Sequence, residues 1–246
     1  MHVFFHPDLS PNQFYLSEEE SKHCVRVLRL KQGDVVFLAD GLGTEAQAII
    51  ADDNPKKCLL TIEKRKKHHP QNDALLHLVV APTKNADRIE WFIEKATEAG
   101  IAQITFIETA NSERTKINLE RCNKVAISAM KQSKQWFLPK INDVVMLADC
   151  LRLFQAPASA NDLRYVAWCE HPHTETLPKM MAQKMSHKQT NITILIGPEG
   201  DFTDEEVAMA KQAQFEPVSL GNAILRTETA ALYACMAVKT LTSLHN

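Results

Sequence analysis

Ile192-Thr193-Ile194-Leu195-Ile196-Gly197-Pro198-Glu199-Gly200-Asp201-Phe202-Thr203 decides the fold class of this 246-residue chain. An apolar, β-branched run ends in a glycine-proline turn, and Thr203-Asp204-Glu205-Glu206 then reads as a helix capping box. The pattern recurs downstream. Pro217-Val218-Ser219-Leu220 opens into Gly221-Asn222-Ala223-Ile224-Leu225-Arg226-Thr227-Glu228-Thr229-Ala230, where Thr227 is placed to cap the last helix. Of the seven glycines in the chain, three stand in these two loops. Glycine admits backbone approaches that a Cβ forbids, and open α/β sheets bind ligands outside the carboxyl ends of their strands. Two strand ends that each open into a capped helix predict the two walls of one pocket.

Upstream of these loops, from Ala74 on, strands alternate with helices, which predicts a mostly parallel sheet. Strands are expected over 75–80, 104–107, 165–168 and 192–196. An amphipathic helix over 87–99 carries Ile89, Phe92, Ile93 and Ala96 on one face and stops at Gly100. A helix over 119–132 is capped by Asn118. The first 70 residues read differently: short strands over 35–39, 44–50 and 58–62, a hairpin turn at Asp40-Gly41-Leu42-Gly43, and one helix starting in the capping box Ser17-Glu18-Glu19-Glu20 and continuing towards Arg29. This is a small β-rich unit of barrel type. Lys64-Arg65-Lys66-Lys67-His68-His69-Pro70-Gln71-Asn72 has no apolar periodicity and reads as the linker between a domain over 1–70 and one over 73–246.

Composition narrows the class. The apolar fraction of 45% suits a globular core. No basic segment followed by an apolar stretch opens the chain, and the longest apolar run, Ala230 to Val238, falls far short of the roughly 20 residues that span a membrane. A cytoplasmic protein is the expectation. The six cysteines lie apart with no C-x-x-C pair, which predicts reduced core thiols rather than disulfides or zinc. His68-His69 and His171-Pro172-His173 lack supporting ligands, so no metal is expected. A net charge of −2 speaks against a wholly basic nucleic-acid binder. The charge is uneven, however: Asn111 to Lys140 holds seven Lys/Arg against two Glu, and Lys56 to Lys67 six against one. Such patches are enough to hold phosphates, and each run alone is equally a solvated face.

Neither loop is a common phosphate cradle, because the chain has neither G-x-x-x-x-G-K-[ST] nor G-x-G-x-x-G. Leu195, Ile196, Leu220, Ile224 and Leu225 surround Gly197 and Gly221 instead. That lining suits a flat base read by backbone groups, as in the adenosine half of S-adenosylmethionine (SAM). Taken singly, each loop reads first as an ordinary turn of a core sheet; together, with Arg226 and Glu228, they favour a ligand.

These motifs, with others in order along nearly the whole chain, resemble the ribosomal RNA small subunit methyltransferase E family, the 16S rRNA uridine-N3 methyltransferases of the SPOUT superfamily. His23-Cys24-Val25-Arg26-Val27-Leu28-Arg29 with Gly33-Asp34 resembles the family's PUA-like barrel motif. Lys84, Arg88, Glu94-Lys95-Ala96-Thr97-Glu98 and Gly100 resemble its first catalytic-domain helix. Ser112-Glu113-Arg114-Thr115 and Gln132-Ser133 with Pro139 match, and the two glycine loops are the most specific. The resemblance implies a SPOUT-type parallel sheet with a carboxyl-terminal trefoil knot, preceded by a PUA-like β-barrel. It also implies SAM as cofactor, held by Leu195, Ile196, Gly197, Gly200, Leu220, Gly221, Asn222, Ile224 and Leu225, and a homodimer joined at the knot. The chain departs twice from the family pattern. Asp201 replaces a usual glycine, and Gln135, beside Lys134, replaces a usual basic residue. Aspartate tolerates φ > 0 better than most residues, so the turn is expected to survive.

Uridine N3 must lose its proton to attack a methyl group, leaving negative charge on the base carbonyls. Arg226 is the expected stabiliser of that charge, with an ion pair to Glu228 as its alternative role. Glu199 and Glu228 both stand as candidates for the base. Arg26, Arg29, Lys84, Arg88, Arg114, Lys131 and Lys134 are the expected RNA contacts. Trp136 reads as a stacking platform or as plain core. An RNA-binding module with a decayed catalytic domain is the competing function, and Asp201 is the feature that favours it.

Overall fold

A five-stranded sheet and a six-stranded sheet organise the chain in the computed structural model, which describes residues 1–69, 74–159, 161–169, 175–184 and 190–244. They belong to two units, one formed by Met1–Pro70 with Ile127–Leu138 and the other by Gln71–Ala126 with Pro139–Asn246.

In chain order the first unit contains β1 (Val3–Phe5), β2 (Gln13–Tyr15), α1 (Glu18–Lys22), a π-helical turn at His23–Val27, β3 (Val35–Ala39), β4 (Thr44–Asp52) and β5 (Leu59–Lys67). Sheet order is β1-β3-β4-β5-β2, with β1 parallel to β3 and the other pairs antiparallel. The sheet curls rather than closing by a ladder: the His6 ring, just past β1, lies 4.3 Å from the Phe14 ring on β2. Phe4, Val36, Leu38, Ala48, Ile50 and Leu60 fill its interior. Asp40 shapes the expected hairpin turn by accepting from the Leu42 and Thr44 amides. Gly43 adopts φ +90, and a Cβ there would stand 2.6 Å from the Phe137 ring.

Three expectations change here. Lys64–Lys67 is not linker but the second half of β5, paired with Thr44–Gln47. It forms a strand without apolar alternation because the β4 backbone supplies its partners, and Arg65 donates to the carbonyls of Leu9 and Pro11. The capping box at Ser17 is half made: Ser17 accepts from the Glu20 amide while the Glu20 carboxylate pairs with Lys131. The helix beyond it turns π-helical at His23 rather than continuing as α. Residues 70–72 of the expected linker lie outside the described residues, as do His171, Pro172 and His173.

The second unit runs β6 (Ala74–Val80), α2 (Ala86–Glu98), β7 (Gln103–Glu108), α3 (Leu119–Ser133), β8 (Lys140–Met146), α4 (Leu147–Arg152), β9 (Asp162–Ala167), α5 (Leu177–Lys184), β10 (Thr190–Ile196), α6 (Asp204–Gln212), β11 (Glu216–Val218) and α7 (Thr227–Leu244). Residues 127–138, the second half of α3 and its exit, group with the first unit. The short elements β8, α4 and α5 carried too little periodicity to be read from sequence, whereas β11 falls at the expected second strand end. Every strand pair is parallel and the order is β11-β9-β10-β6-β7-β8. Parallel strands covered on both faces are apolar throughout: Leu78, Val79, Tyr165, Val166, Ile194 and Leu195 are completely buried. Truncating Ile194 to alanine costs about 2–5 kcal/mol by this burial.

The strand order positions the site. β6, β7 and β8 step towards one edge, then β9, β10 and β11 lie on the other side of β6, so the order reverses at the β6–β10 junction. Val80, Ile196, Ala167 and Val218 share one register row at the carboxyl ends. The loops after β6, β10 and β11 therefore leave the sheet at the same level.

Candidate active site

The first wall is the loop after β10. Leu195, Ile196 and Gly197 are buried, and the Ala81 amide donates to the Ile196 carbonyl (3.0 Å), holding the β6 and β10 exits together. The Asp201 amide closes a turn on the Pro198 carbonyl (3.0 Å). Asp201 takes φ +58, as expected for a position where glycine is usual. Its carboxylate accepts from the Phe202 amide (2.8 Å) and the Cys169 amide (2.9 Å), bonds glycine could not make. Asn111 donates to the carbonyls of Gly200 and Asp201, each at 3.0 Å. Beyond the turn, Thr203 and Glu206 complete the expected capping box, and the buried Glu206 also accepts from the Ala110 amide (2.8 Å).

The second wall is the loop after β11. The Ser219 hydroxyl donates to the Gly221 carbonyl (3.0 Å) and accepts from the Gly221 amide (3.1 Å). Gly221 has φ +124, and a Cβ there would meet nothing. Asn222 and Ile224 are exposed, Ile224 by 88%, and Leu220 and Leu225 are half-buried. Ile224 is thus an apolar side chain without a protein cover, which fits a ligand with a flat apolar face.

Thr227 joins the walls. It is the first residue of α7 rather than its cap, and its buried hydroxyl donates to the Gly197 carbonyl (3.0 Å). Arg226 takes the cap position, its carbonyl accepting from the Ala230 amide (2.7 Å), and its side chain is exposed. Sequence reading missed the tertiary tasks of Thr227, Asn111 and Glu206. Only Glu206 left a signal, through its capping box.

Glu228 does not face Arg226 in an ion pair. It lies buried in the first turn of α7 with Oε1 3.9 Å from Arg88 Nε, while its Oε2 has no hydrogen-bond partner. Asp87, Arg88, Trp91, Glu228 and Thr229 line a cleft of about 250 Å³. Glu199 is exposed and accepts from the Lys84 amide (3.3 Å). Lys84 pairs with Glu113 (2.7 Å), which raises the lysine pKa. Arg114 donates to the carbonyls of Thr83 and Lys84. Lys84, Arg88 and Arg114 thus brace the loop after β6 and its helix.

Lys131, Lys134, Arg26 and Arg29 belong to the first unit. Lys131 pairs with Glu20, whereas Arg26, Arg29 and Lys134 are exposed, the last two at φ +57. Trp136 stacks on His68 at 5.2 Å and 14°. Among the described residues no three His, Cys, Asp or Glu side chains gather as metal ligands, and no helix is long and apolar enough to cross a membrane.

A parallel sheet with converging loops at a reversal of strand order, in a chain that also carries a small β unit, defines a class. Residues 70–239 match the model of the RNA methyltransferase domain, and residues 16–63 that of the RNA methyltransferase PUA domain. The Rickettsia conorii ribosomal RNA small subunit methyltransferase E is 31% identical over 244 residues, covering 98% of this chain and 96% of that protein. A Porphyromonas gingivalis structure, described as a probable rRNA-methyltransferase, superposes with TM-score 0.89 at 34% identity over all of both chains. A Legionella pneumophila protein whose structure holds bound SAM superposes with TM-score 0.81 at 27% identity, over 97% of each chain. The chain belongs to the ribosomal RNA small subunit methyltransferase E family.

Proposed function

We propose that this protein transfers a methyl group from SAM to N3 of a uridine in 16S rRNA. The observation that carries the reading is the Thr227–Gly197 bond, which holds two glycine loops side by side at the reversal point of a parallel sheet. The Legionella pneumophila relative with bound SAM supports the cofactor. Leu195, Ile196, Gly197, Gly200, Leu220, Gly221, Asn222, Ile224 and Leu225 would hold it, and SAM supplies the electrophilic methyl. The protein aligns the uridine, worth an effective molarity of roughly 10⁵ M or more, and manages one proton. Arg226, exposed beside both loops, stabilises the negative charge that deprotonation of N3 leaves on the base carbonyls. Glu199, the exposed carboxylate of the first loop, accepts the proton. Glu228, buried against Arg88, fixes α7 against α2.

N3 lies on the Watson–Crick edge, so the uridine is extruded or unpaired when it reacts. The exposed cations Arg26, Arg29 and Lys134, with Lys84, Arg88, Arg114 and Lys131, hold the RNA. Threading of the segment after β10 as a trefoil knot is supported by the insertion of β10 between β9 and β6. A homodimer through this region is supported by the exposed Trp91, Tyr233 and Met236 on α2 and α7. Ribosome assembly places such an enzyme in the cytoplasm. The competing binding-module reading gains nothing from Asp201, whose carboxylate completes the turn.

Calorimetry with SAM, followed by mass spectrometry of 16S rRNA for 3-methyluridine, tests the proposal. No binding at roughly millimolar SAM overturns it. Arg226→Ala is expected to lower methyl transfer by about 100-fold or more while cofactor affinity holds. Activity within about threefold of wild type would make Arg226 structural.

A further inference from the structure

One short segment, the turn after β7 from Thr109 to Arg114, bonds to the chain on both sides of Glu199. The segment is itself firmly built. The Ser112 amide donates to the Thr109 carbonyl (3.1 Å), and the Thr109 amide donates to the Ser112 hydroxyl (3.0 Å). The buried Glu206 carboxylate holds the Ala110 amide (2.8 Å). From this base Asn111 donates to the Gly200 and Asp201 carbonyls, each at 3.0 Å, which fixes the backbone just after Glu199.

The grip on the carboxylate itself runs through a peptide group. The Lys84 amide donates to Glu199 Oε1 at 3.3 Å, a long bond to an exposed side chain that otherwise samples many rotamers. Whether that bond persists depends on how firmly its donor is aimed. The Lys84 N–H and the Thr83 carbonyl belong to one trans peptide, so they point to opposite sides of a rigid plane. Arg114 holds the far side. Its Nε donates to the Thr83 carbonyl (3.1 Å) and its Nη2 to the Lys84 carbonyl (2.6 Å). One guanidinium on two successive carbonyls restrains the peptide plane between them. A cation on the Thr83 carbonyl also polarises that peptide and strengthens its N–H as a donor. A hydrogen-bonded chain therefore runs from Arg114 through the Thr83–Lys84 peptide to Glu199. Lysine at position 114 would keep the charge, but an ammonium lacks the rigid fork that spans both carbonyls.

We propose that Arg114 is a positioning residue for proton removal, acting through the Thr83–Lys84 peptide to set the Glu199 carboxylate against uridine N3. The proposal rests on Glu199 being the proton acceptor, as read above. In that step the N3–H bond breaks, its electron pair stays on the base, and the proton goes to Glu199 Oε2, since Oε1 is engaged. The charge of Arg114 also adds to the attraction of RNA, a part that lysine retains. The fork is what turnover needs, because displacing a reacting group by about 1 Å costs on the order of 100-fold in rate.

Kinetics on 16S rRNA with Arg114→Lys, Glu199→Gln and the double variant test this. Glu199→Gln is expected to lower kcat about 100-fold or more, the share of a general base. Arg114→Lys should lower kcat about tenfold. Its KM for rRNA and its SAM affinity by calorimetry should stay within about twofold of wild type. In the Glu199→Gln background Arg114→Lys should cause no further loss, because it acts through that carboxylate. A loss that persists undiminished in that background overturns the positioning role and leaves the base reading intact. A loss carried by KM makes Arg114 an RNA contact alone, and an equal fall in SAM affinity makes it a structural support; either overturns the proposal. Glu199→Gln with wild-type kcat overturns the base reading and the positioning role together.

Discussion

The two glycine loops look alike in sequence and differ in how they are held. The loop after β10 is buried at Gly197 and Pro198 and tied by four side chains from elsewhere or within: Asp201, Asn111, Glu206 and Thr227. The loop after β11 is held at its start, where the Ser219 backbone pairs with Glu175 and Leu177 and its hydroxyl bonds to Gly221, and it leaves Asn222, Ala223 and Ile224 in solvent. One wall is therefore built by the fold and the other is displayed by it. A ligand seated between them adds contacts chiefly to the second. Glycine plays opposite parts on the two sides: a Cβ at Gly197 would press on Phe202 at 3.1 Å, whereas at Gly221 only the backbone angle forbids one.

That contrast can be broken by substitution. Asp201→Ala removes two amide bonds to a carboxylate and puts alanine at φ +58, and should destabilise the protein by about 3 kcal/mol. Asp201→Gly loses the same bonds without the backbone strain and should cost visibly less. Urea unfolding measures both, and an unchanged midpoint for Asp201→Ala would deny the first wall its rigidity. Gly221→Ala carries no clash, so its cost is conformational, about 2 kcal/mol. It should appear as a roughly 30-fold weaker SAM affinity, read by calorimetry, with little change in the folding midpoint. Thr227→Val keeps shape but strands the buried Gly197 carbonyl; about 1.5 kcal/mol of stability should go. If SAM affinity also drops, the bond joins the walls functionally as well as structurally. Ile224→Ala should alter stability by less than about 0.5 kcal/mol, because nothing buries it in the protein. A several-fold loss of cofactor affinity would identify Ile224 as a ligand cover, and no loss would remove it from the site.

Long periodic elements were legible. The helices at 86–98 and 119–133 and the strands at 74–80, 103–108 and 190–196 follow from apolar spacing, and the turn at Asp201 from the conformational tolerance of aspartate. The lysine-rich stretch at 64–67 was misread because a strand with both faces in water has no hydrophobic alternation to show. The alternative role for Arg226, an ion pair with Glu228, rested on proximity along the chain, yet residues two apart on a helix start point to different sides. Arg88, distant in sequence, takes the place beside Glu228.

Local chemistry suffices for the β unit followed by an alternating α/β unit, the two strand-end glycine loops, the capping box at Thr203 and the absence of phosphate-cradle motifs. Each depends on neighbours within a few residues, which the sequence displays directly. Tertiary structure alone decided that β10 stands between β9 and β6, that Thr227 bonds to Gly197, that Asn111 clamps the first turn, and that Glu20 meets Lys131. Those contacts join residues tens of positions apart, and hydrogen-bonding side chains of this kind give no periodic signal that would announce their partners.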